Sequence, residues 1–470
     1  MIRMRSLGTI CGHCVLWLIA AACGPDKTAE PTSSPPGADE RKAEAPACPD
    51  AAIPTTRLPD VVPAHREVAT WLAKVSDADL GAVLVEPDAV ESLNQRFSEM
   101  VGAWRDPTAP ESGDPDRITR DIDERLAHLR GRVDAGEIVQ RVPGSLAEAE
   151  RIARESTPVD QFRIAIEEAQ LYCVPLDSGL FKQPIDEDFD RNNCSSIHPG
   201  ELVRVLRRGG GGQWLYVHVG YVVGWLHEAA LTPRLGRDEL DRWQTRSRVV
   251  PVRDDVTTTD GFRVRIGTSL PIVDRTPEGF RVLVPSEEGL REATVLRSDG
   301  VHDGHPPLTR RVLWELLFSE LDKPYGWGGR AGERDCSRYL RDAFATFGIQ
   351  LARHSAVQAQ LGTHNLDLTG MPEDDKLALI ESWAARGVVL LYMPGHIMLY
   401  LGKDGDHHYG ISSMSEYLEP CPGGPDTVYR VDRVAVTTLD LGRDTERTAF
   451  IQRITRAVVF APEKLELAAE

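Results

Sequence analysis

Positive charge is in short supply in this 470-residue chain: 54 lysines and arginines face 72 aspartates and glutamates, a formal net charge of −18. That balance argues against a nucleic-acid partner, and no polybasic patch is present to hold an anionic membrane. Long apolar runs are missing too. The one candidate, Val15–Ala22, falls short of the about 20 residues a spanning helix needs. Beyond residue 22 the histidines are scattered, and neither C-x-x-C nor H-E-x-x-H occurs. No metal site and no cofactor are therefore expected. Cysteine is sparse, eight in all: Cys11, Cys14, Cys23, Cys48, Cys173, Cys194, Cys336 and Cys421. Apolar residues still make up 41% of the chain, enough to bury real cores, and the length suggests two to four domains.

Arg3 and Arg5 ahead of the short apolar run give residues 1–22 the form of a cleavable signal peptide. Ala20-Ala21-Ala22-Cys23-Gly24 resembles a bacterial lipoprotein cleavage box, in which Cys23 becomes the lipidated first residue. Ala20 stands where Leu is more usual, and an ordinary secretory signal cut after an A-x-A site is the other reading. Several acyl chains on one residue would anchor firmly, each buried methylene adding about 0.8 kcal/mol. Residues 23–59, rich in Pro, Ala, Glu and Ser, read as a disordered tether. The expected location is the cell envelope, at its periplasmic face, with the outer membrane ahead of the inner.

Residues 60–169 carry helical periodicity. Trp71, Leu72 and Val75 form one apolar cluster, and Val90, Leu93, Phe97 and Met100 form another. Arg117–Arg132 is heavily charged around a stripe of Ile118, Ile122, Leu126 and Leu129. These stripes predict packing and no chemistry. Residues 170–240 change to short β-branched and aromatic runs divided by turns, and residues 241–305 repeat the theme in divergent form. A W-x-Y-V strand (Trp214, Tyr216) followed by a G-W strand (Gly224, Trp225) resembles a bacterial SH3-like barrel. Trp225 is expected to be barrel core.

Chemistry concentrates in residues 306–470. A glycine-rich stretch, Pro324–Ser337, ends in Asp335-Cys336-Ser337. Tyr339, Leu340, Ala343, Phe344 and Phe347 then recur at helical spacing, so Asp335 can cap a helix that opens at Cys336. Backbone N–H groups and the helix dipole favour a thiolate there, making Cys336 a candidate nucleophile. Further on, the turn Met393-Pro394-Gly395 leads into a strand that starts at His396. A thiol and an imidazole supply what acyl transfer needs: an attacking group, and a base that later protonates the leaving amine.

Y-G-W-G-G, D-C-S, F-G-I-x-L and P-G-H-I-M-L-Y-L-G, in that order, resemble the NlpC/P60 family of papain-like cysteine peptidases, specifically over 325–358 and 394–402. The arrangement is similar to the subgroup with two SH3-like domains before the catalytic domain. The resemblance implies a multidomain fold: a helical N-terminal segment, two small SH3-like β-barrels, and a C-terminal α+β papain-like NlpC/P60 domain. It implies hydrolysis of peptidoglycan stem peptides between γ-D-glutamate and a diamino acid, with Cys336 as nucleophile and His396 as base. Asp335 and Ser337 match positions that contact a free substrate amine. Tyr325 and Trp327 match the loop lining the site.

Two departures stand out. The family often has L-P-R-N-S where this chain has Leu351-Ala352-Arg353-His354-Ser355. The residue that orients the base is also open: His408 has a common family spacing, whereas hairpin register sets Ser412 nearer His396. Cys48, Cys173, Cys194 and Cys421 allow three disulfide pairings; Cys173 and Cys194 share one barrel. Two rival functions remain at this stage, a wall-binding lipoprotein with a weak or inactive catalytic fold, and an amidase or acyl transferase.

Overall fold

The computed structural model describes residues 48–49, 52–245, 247–297 and 300–462. The signal segment, Cys23 and the tether up to residue 47 lie outside the described residues. The end of the segment assigned to the tether is not free. Cys48 is disulfide-bonded to Cys421, and Ile53–Pro54 pairs in parallel with Tyr429 and Arg430. This corrects the boundary at residue 59, because backbone pairing and a cross-link hold these residues on the C-terminal domain.

The helical segment contains α1 (Val90–Val101), α2 (Pro115–Asp134) and α3 (Ser145–Glu155). Asp114 caps α2 by accepting from the Asp116 N–H, with Pro115 in the first turn, where its missing N–H costs nothing. The segment has no core of its own. Trp71, Leu93 and Phe97 enter the core of the C-terminal domain, where Phe97 meets Phe460 edge-on at 6.4 Å. The α2 stripe, Ile118, Ile122, Leu126 and Leu129, packs instead on Trp214, Tyr216 and Trp225.

The first barrel comprises β1 (Thr157–Ile164), β2 (Ala169–Tyr172), β3 (Asn193–Ile197), β4 (Leu202–Gly209), β5 (Trp214–His218) and β6 (Val223–His227). Their order is β1-β4-β5-β6-β2-β3. Strand β1 corrects the helical reading to residue 169. Pro158 breaks the helical run, and β1 pairs antiparallel with β4 through a bulge between Pro158 and Gln161. Trp225 is buried against Tyr216 directly across the ladder, with ring centroids 5.2 Å apart. A disulfide joins Cys173 to Cys194.

The second barrel comprises β7 (Arg248–Pro251), β8 (Leu270–Arg275), β9 (Gly279–Ser286), β10 (Gly289–Leu296) and β11 (Val301–Asp303), in the order β10-β9-β8-β7-β11. Phe280, Val282, Val284 and Val295 fill its interior.

The C-terminal domain holds α4 (Arg310–Ser319), α5 (Cys336–Ala345), β12 (His364–Asp367), α6 (Glu373–Ala384), β13 (Val388–Met393), β14 (His396–Asp404), β15 (His407–Glu419), β16 (Thr427–Thr438) and β17 (Arg456–Phe460). Residues 53–54 extend its sheet, in the order 53–54, β16, β15, β14, β13, β17, β12. Leu340 and Phe344 of α5 bury against one face, on Leu399, Ile411 and Val458. Ile380 of α6 covers the other, on Leu391, Met398 and Val459.

A buried ionic cluster joins the three β-containing units. Arg334 donates to Asp342 (2.8 Å), to both carboxylate oxygens of Asp254 (2.6 and 3.0 Å), to Glu320 (2.7 Å) and to the Ile266 carbonyl (3.1 Å). Arg265 links Asp254 to Glu168, and His198 bridges Glu168 and Asp342 at 2.8 Å each. Arg338 reaches from Asp342 to the Tyr221 hydroxyl at 2.7 Å. First barrel, second barrel and C-terminal domain thus share one network of paired charges. Glu320 is the exception in sign: burial pushes its carboxyl up to about 7, against the pull of Arg334. An acid raised on folding supplies stability below its unfolded value of about 4.3, and that stability is lost as pH rises through the folded value. Glu320→Gln should therefore flatten the fall in urea midpoint between about pH 4.5 and 7. An unchanged slope would place the titrating group elsewhere.

Candidate active site

Cys336 is the first residue of α5, and its thiol is buried. The backbone N–H groups of Ile397, one residue beyond His396, and of Ser337 lie close enough to the sulfur to favour its thiolate. Helix start and strand start therefore converge. Burial, then the nearby Asp335 carboxylate, push the thiol up to about 12, outweighing those N–H groups and Arg353. Burial lowers His396 to about 4, Arg453 adding to the effect and Asp335 opposing it. At neutral pH the resting pair is an uncharged thiol and an uncharged imidazole.

His396 Nε2 lies 3.0 Å from the Ser412 hydroxyl oxygen. Of the two candidates for that place, the structure brings Ser412 to the base and not His408. The reason is register. Leu399 faces Ile411, and a bulge between Tyr400 and Gly402 sets His408 opposite Lys403, far along the hairpin. His408 Nδ1 instead meets the Tyr400 hydroxyl at 2.8 Å, with Glu381 at 3.7 Å from Nε2. Ser412→Ala is expected to lower kcat/KM about 10-fold by releasing one hydrogen bond on the imidazole, with KM unchanged. A fall in KM-linked binding alone, read from full saturation curves, would count against a positioning role.

The amine site expected at Asp335 and Ser337 is corrected by Arg353. The guanidinium donates to both Asp335 oxygens, at 3.0 and 2.7 Å, and to Ser337 Oγ at 3.0 Å. Ser337 Oγ, the Arg338 N–H and the Gly328 N–H also donate to the same carboxylate, at 3.0, 2.9 and 3.2 Å. A carboxylate has about four lone-pair positions, so five donors leave none for an ammonium. Burial raises the Asp335 pKa, but Arg353 and these donors outweigh it and hold the group below the usual range. Asp335 acts as helix cap and anchor. Arg353 was visible in the sequence as the retained arginine of the departed L-P-R-N-S pattern, but its partner could not be read there.

The loop between Pro324 and Asp335 is clamped on the first barrel. Gly328 and Gly329 have φ of +59° and +83°, and a Cβ on either would strike Asn193 O or Ser196 N at 2.4 Å. Close approach as well as backbone conformation demands glycine at both. Trp327 Nε1 donates to the Asp190 carbonyl at 3.1 Å, and Arg191 stacks on its ring at 4.5 Å. Tyr325 is half-buried, and burial, then Asp335 and Cys336, push its hydroxyl pKa well up. Desolvation by the surrounding protein, then Arg353, lowers the His354 pKa to about 4. The short helix that follows opens at Ser355, with His354 in the cap position. Among the described residues no group of His, Cys, Asp and Glu side chains is arranged to hold a metal ion.

A helix opening at Cys336, packed on a largely antiparallel sheet in which one strand begins at His396, defines the class: an α+β fold of the papain-like type. Residues 322–415 match the model of the NlpC/P60 family, and residues 180–227 match the SH3 domain of SH3b1 type. The chain carries an NlpC/P60 domain at its C-terminus, preceded by an SH3b domain. That family comprises cysteine peptidases of peptidoglycan, so the fold is that of a cell-wall hydrolase in general. Among solved structures, the chain is similar to a novel NlpC/P60 endopeptidase from Photobacterium damselae subsp. piscicida, with a TM-score of 0.69 and 13% identity over 88% of this chain and 99% of that one. An NlpC/P60 family protein from Bacillus cereus ATCC 10987 aligns at 18% identity over 64% of this chain and 100% of that one, with a TM-score of 0.44. No curated protein matches the chain in sequence.

Proposed function

We propose that this protein is a cysteine endopeptidase that cleaves the γ-D-glutamyl–diamino acid bond of peptidoglycan stem peptides. The observation that carries the reading is Cys336 at the start of α5 with the Ile397 N–H near its sulfur, next to His396, whose ring lies 3.0 Å from the Ser412 hydroxyl. With Nε2 directed at Ser412, Nδ1 is the nitrogen left to act as base. For that, Nε2 carries the hydrogen and donates it to Ser412 Oγ. His396 takes the thiol proton as sulfur attacks the carbonyl carbon, and backbone N–H groups at the helix start stabilise the oxyanion. The imidazolium returns its proton to the leaving amine, and water then hydrolyses the thioester.

Because thiol and imidazole are both neutral at rest, the proton moves during attack and is not transferred beforehand. The glycine loop is pressed on the first barrel and reaches Asp335 beside Cys336, an enclosure that suits released muropeptides over intact wall. A free-amine requirement is not part of this reading, since Asp335 offers no acceptor. Incubating the tripeptide L-Ala-γ-D-Glu-diaminopimelate with the protein should release the dipeptide and the free diamino acid, identified by mass spectrometry. Retained sacculus binding without cleavage would instead support the wall-binding reading, and transfer of the acyl group to an added amine would support the transferase. We further propose that Cys23 is lipidated and holds the protein at the periplasmic face of the envelope, on the strength of the cleavage-box residues. Detergent-extracted protein whose N-terminal peptide lacks acyl mass would refute it.

A further inference from the structure

The imidazole of His396 has a neighbour besides Ser412. The Phe450 ring lies beside it, with centroids 5.9 Å apart and planes tilted by 45°. Phe450 is buried and opens a one-turn helix, Phe450–Arg453, that leads into β17. A single hydrogen bond at Nε2 fixes one point of the His396 ring and leaves its plane free to turn. A serine hydroxyl, itself a rotor, is a weak director. A contact on the body of the ring supplies the restraint that the hydroxyl lacks.

The turn that carries Phe450 is gripped from α6. Lys376 is only 3% exposed, and its ammonium donates to the carbonyls of Ile451, Gln452 and Ile454 at 3.1, 3.1 and 2.7 Å. These carbonyls stand at the end of the helix, where no further turn satisfies them. Three acceptors match the three N–H donors of an ammonium. A lysine is almost never this buried unless it is paired, and here the partners are main chain. A second grip comes from Glu373, also on α6, which accepts from Gln452 Nε2 at 2.7 Å, while Gln452 Oε1 accepts from the Ala449 N–H at 2.9 Å. On the other side, the N–H groups of Phe450 and Ile451 bond to the Leu441 and Leu439 carbonyls at 3.1 and 2.9 Å. Phe450 is thus held on a rigid seat.

We propose that Phe450 is a positioning residue that fixes the plane of the His396 ring, and that Lys376 sets Phe450 by holding its helix. Both act through His396. The inference rests on the hydrolase reading above and divides the orienting task between Ser412 and packing. Small displacements of a reacting group cost large factors in rate. The charged groups acting on the ring are Arg453, on the same turn, and Asp335, at the start of α5. Burial is the first cause of its low pKa, so admitting water at the Phe450 position should let the imidazole protonate at higher pH.

Phe450→Ala, Phe450→Leu and Lys376→Met test it by two readouts. In saturation curves, Phe450→Ala should lower kcat by about 10- to 100-fold, with KM within about twofold of wild type. Phe450→Leu, which restores much of the volume, and Lys376→Met should fall between. In the second readout, NMR follows the His396 ring against pH in the Cys336→Ala background. Adding Phe450→Ala should raise its titration midpoint by at least about one pH unit, and Lys376→Met should raise it by less. Circular dichroism confirms folding, and loosening elsewhere in the domain would leave this midpoint where it is. An unchanged kcat in Phe450→Ala overturns the proposal, as does a rise in KM alone or a fall in kcat with an unmoved midpoint. Should wild type cleave no stem peptide, the hydrolase reading fails, and the NMR arm still decides this one: a raised midpoint upholds it and an unmoved midpoint overturns it.

Discussion

Cys336→Ala is expected to abolish stem-peptide turnover, with kcat falling by at least about 10⁴-fold, while thermal stability stays within a degree or two. The two halves of that expectation have separate causes. In the proposed mechanism the sulfur forms the thioester, and no other free cysteine exists among the described residues to replace it. Its removal costs the fold little, because the side chain shrinks by one atom at the lip of the core and no strong hydrogen bond is lost. The helix keeps its cap, since Asp335 is held by Arg353 and the Arg338 N–H independently of the thiol. Residual activity above about one per cent would move the nucleophile elsewhere. The contrast with Ser412→Ala, about 10-fold, follows from chemistry: one residue bonds to substrate, the other orients the residue beside it.

Arg334→Met should cause the largest loss of stability of any single change, about 3–5 kcal/mol. The side chain is 4% exposed and serves Asp254, Glu320 and Asp342, all buried, from two domains. Methionine fills the volume but leaves three carboxylates without their shared cation. The Asp254 and Asp342 carboxyls, held below the usual range by these arginines and His198, would rise toward protonation. Such depressed groups supply stability above about pH 4 that is lost as pH falls, so the variant should also show a weaker acid dependence. Urea denaturation at pH 7 with limited proteolysis reads both the loss and its site. Cleavage should appear first in the second barrel, whose Asp254 and Arg265 depend on this contact. A midpoint equal to wild type would show the cluster to be neutral in net effect.

Much of the site was legible because it is local. Asp335 capping a helix at Cys336, and His396 opening a strand after Pro394-Gly395, follow from short-range pattern alone. What stayed hidden is set by long-range pairing. The choice of Ser412 over His408 turns on one bulge at Tyr400–Gly402. The saturation of Asp335 turns on Arg353, which arrives from beyond α5 and also reaches Ser195 of the first barrel at 2.8 Å. The helical segment likewise showed where its apolar stripes lie, but not that they serve two different cores.

The strand at Ile53–Pro54 and the Cys48–Cys421 link, 373 residues apart in sequence, also set a timetable. On a chain made from its N-terminus, this segment and Trp71 emerge long before β15 and β16 exist to receive them. The C-terminal sheet cannot close its edge or complete its core from residues 306–470 alone. Residues 53–54 cannot pair until β16, which follows both barrels in the chain, has been made. Contacts of such separation slow folding by the loop they close. In this molecule the C-terminal sheet is finished only when residues 53–54 reach β16.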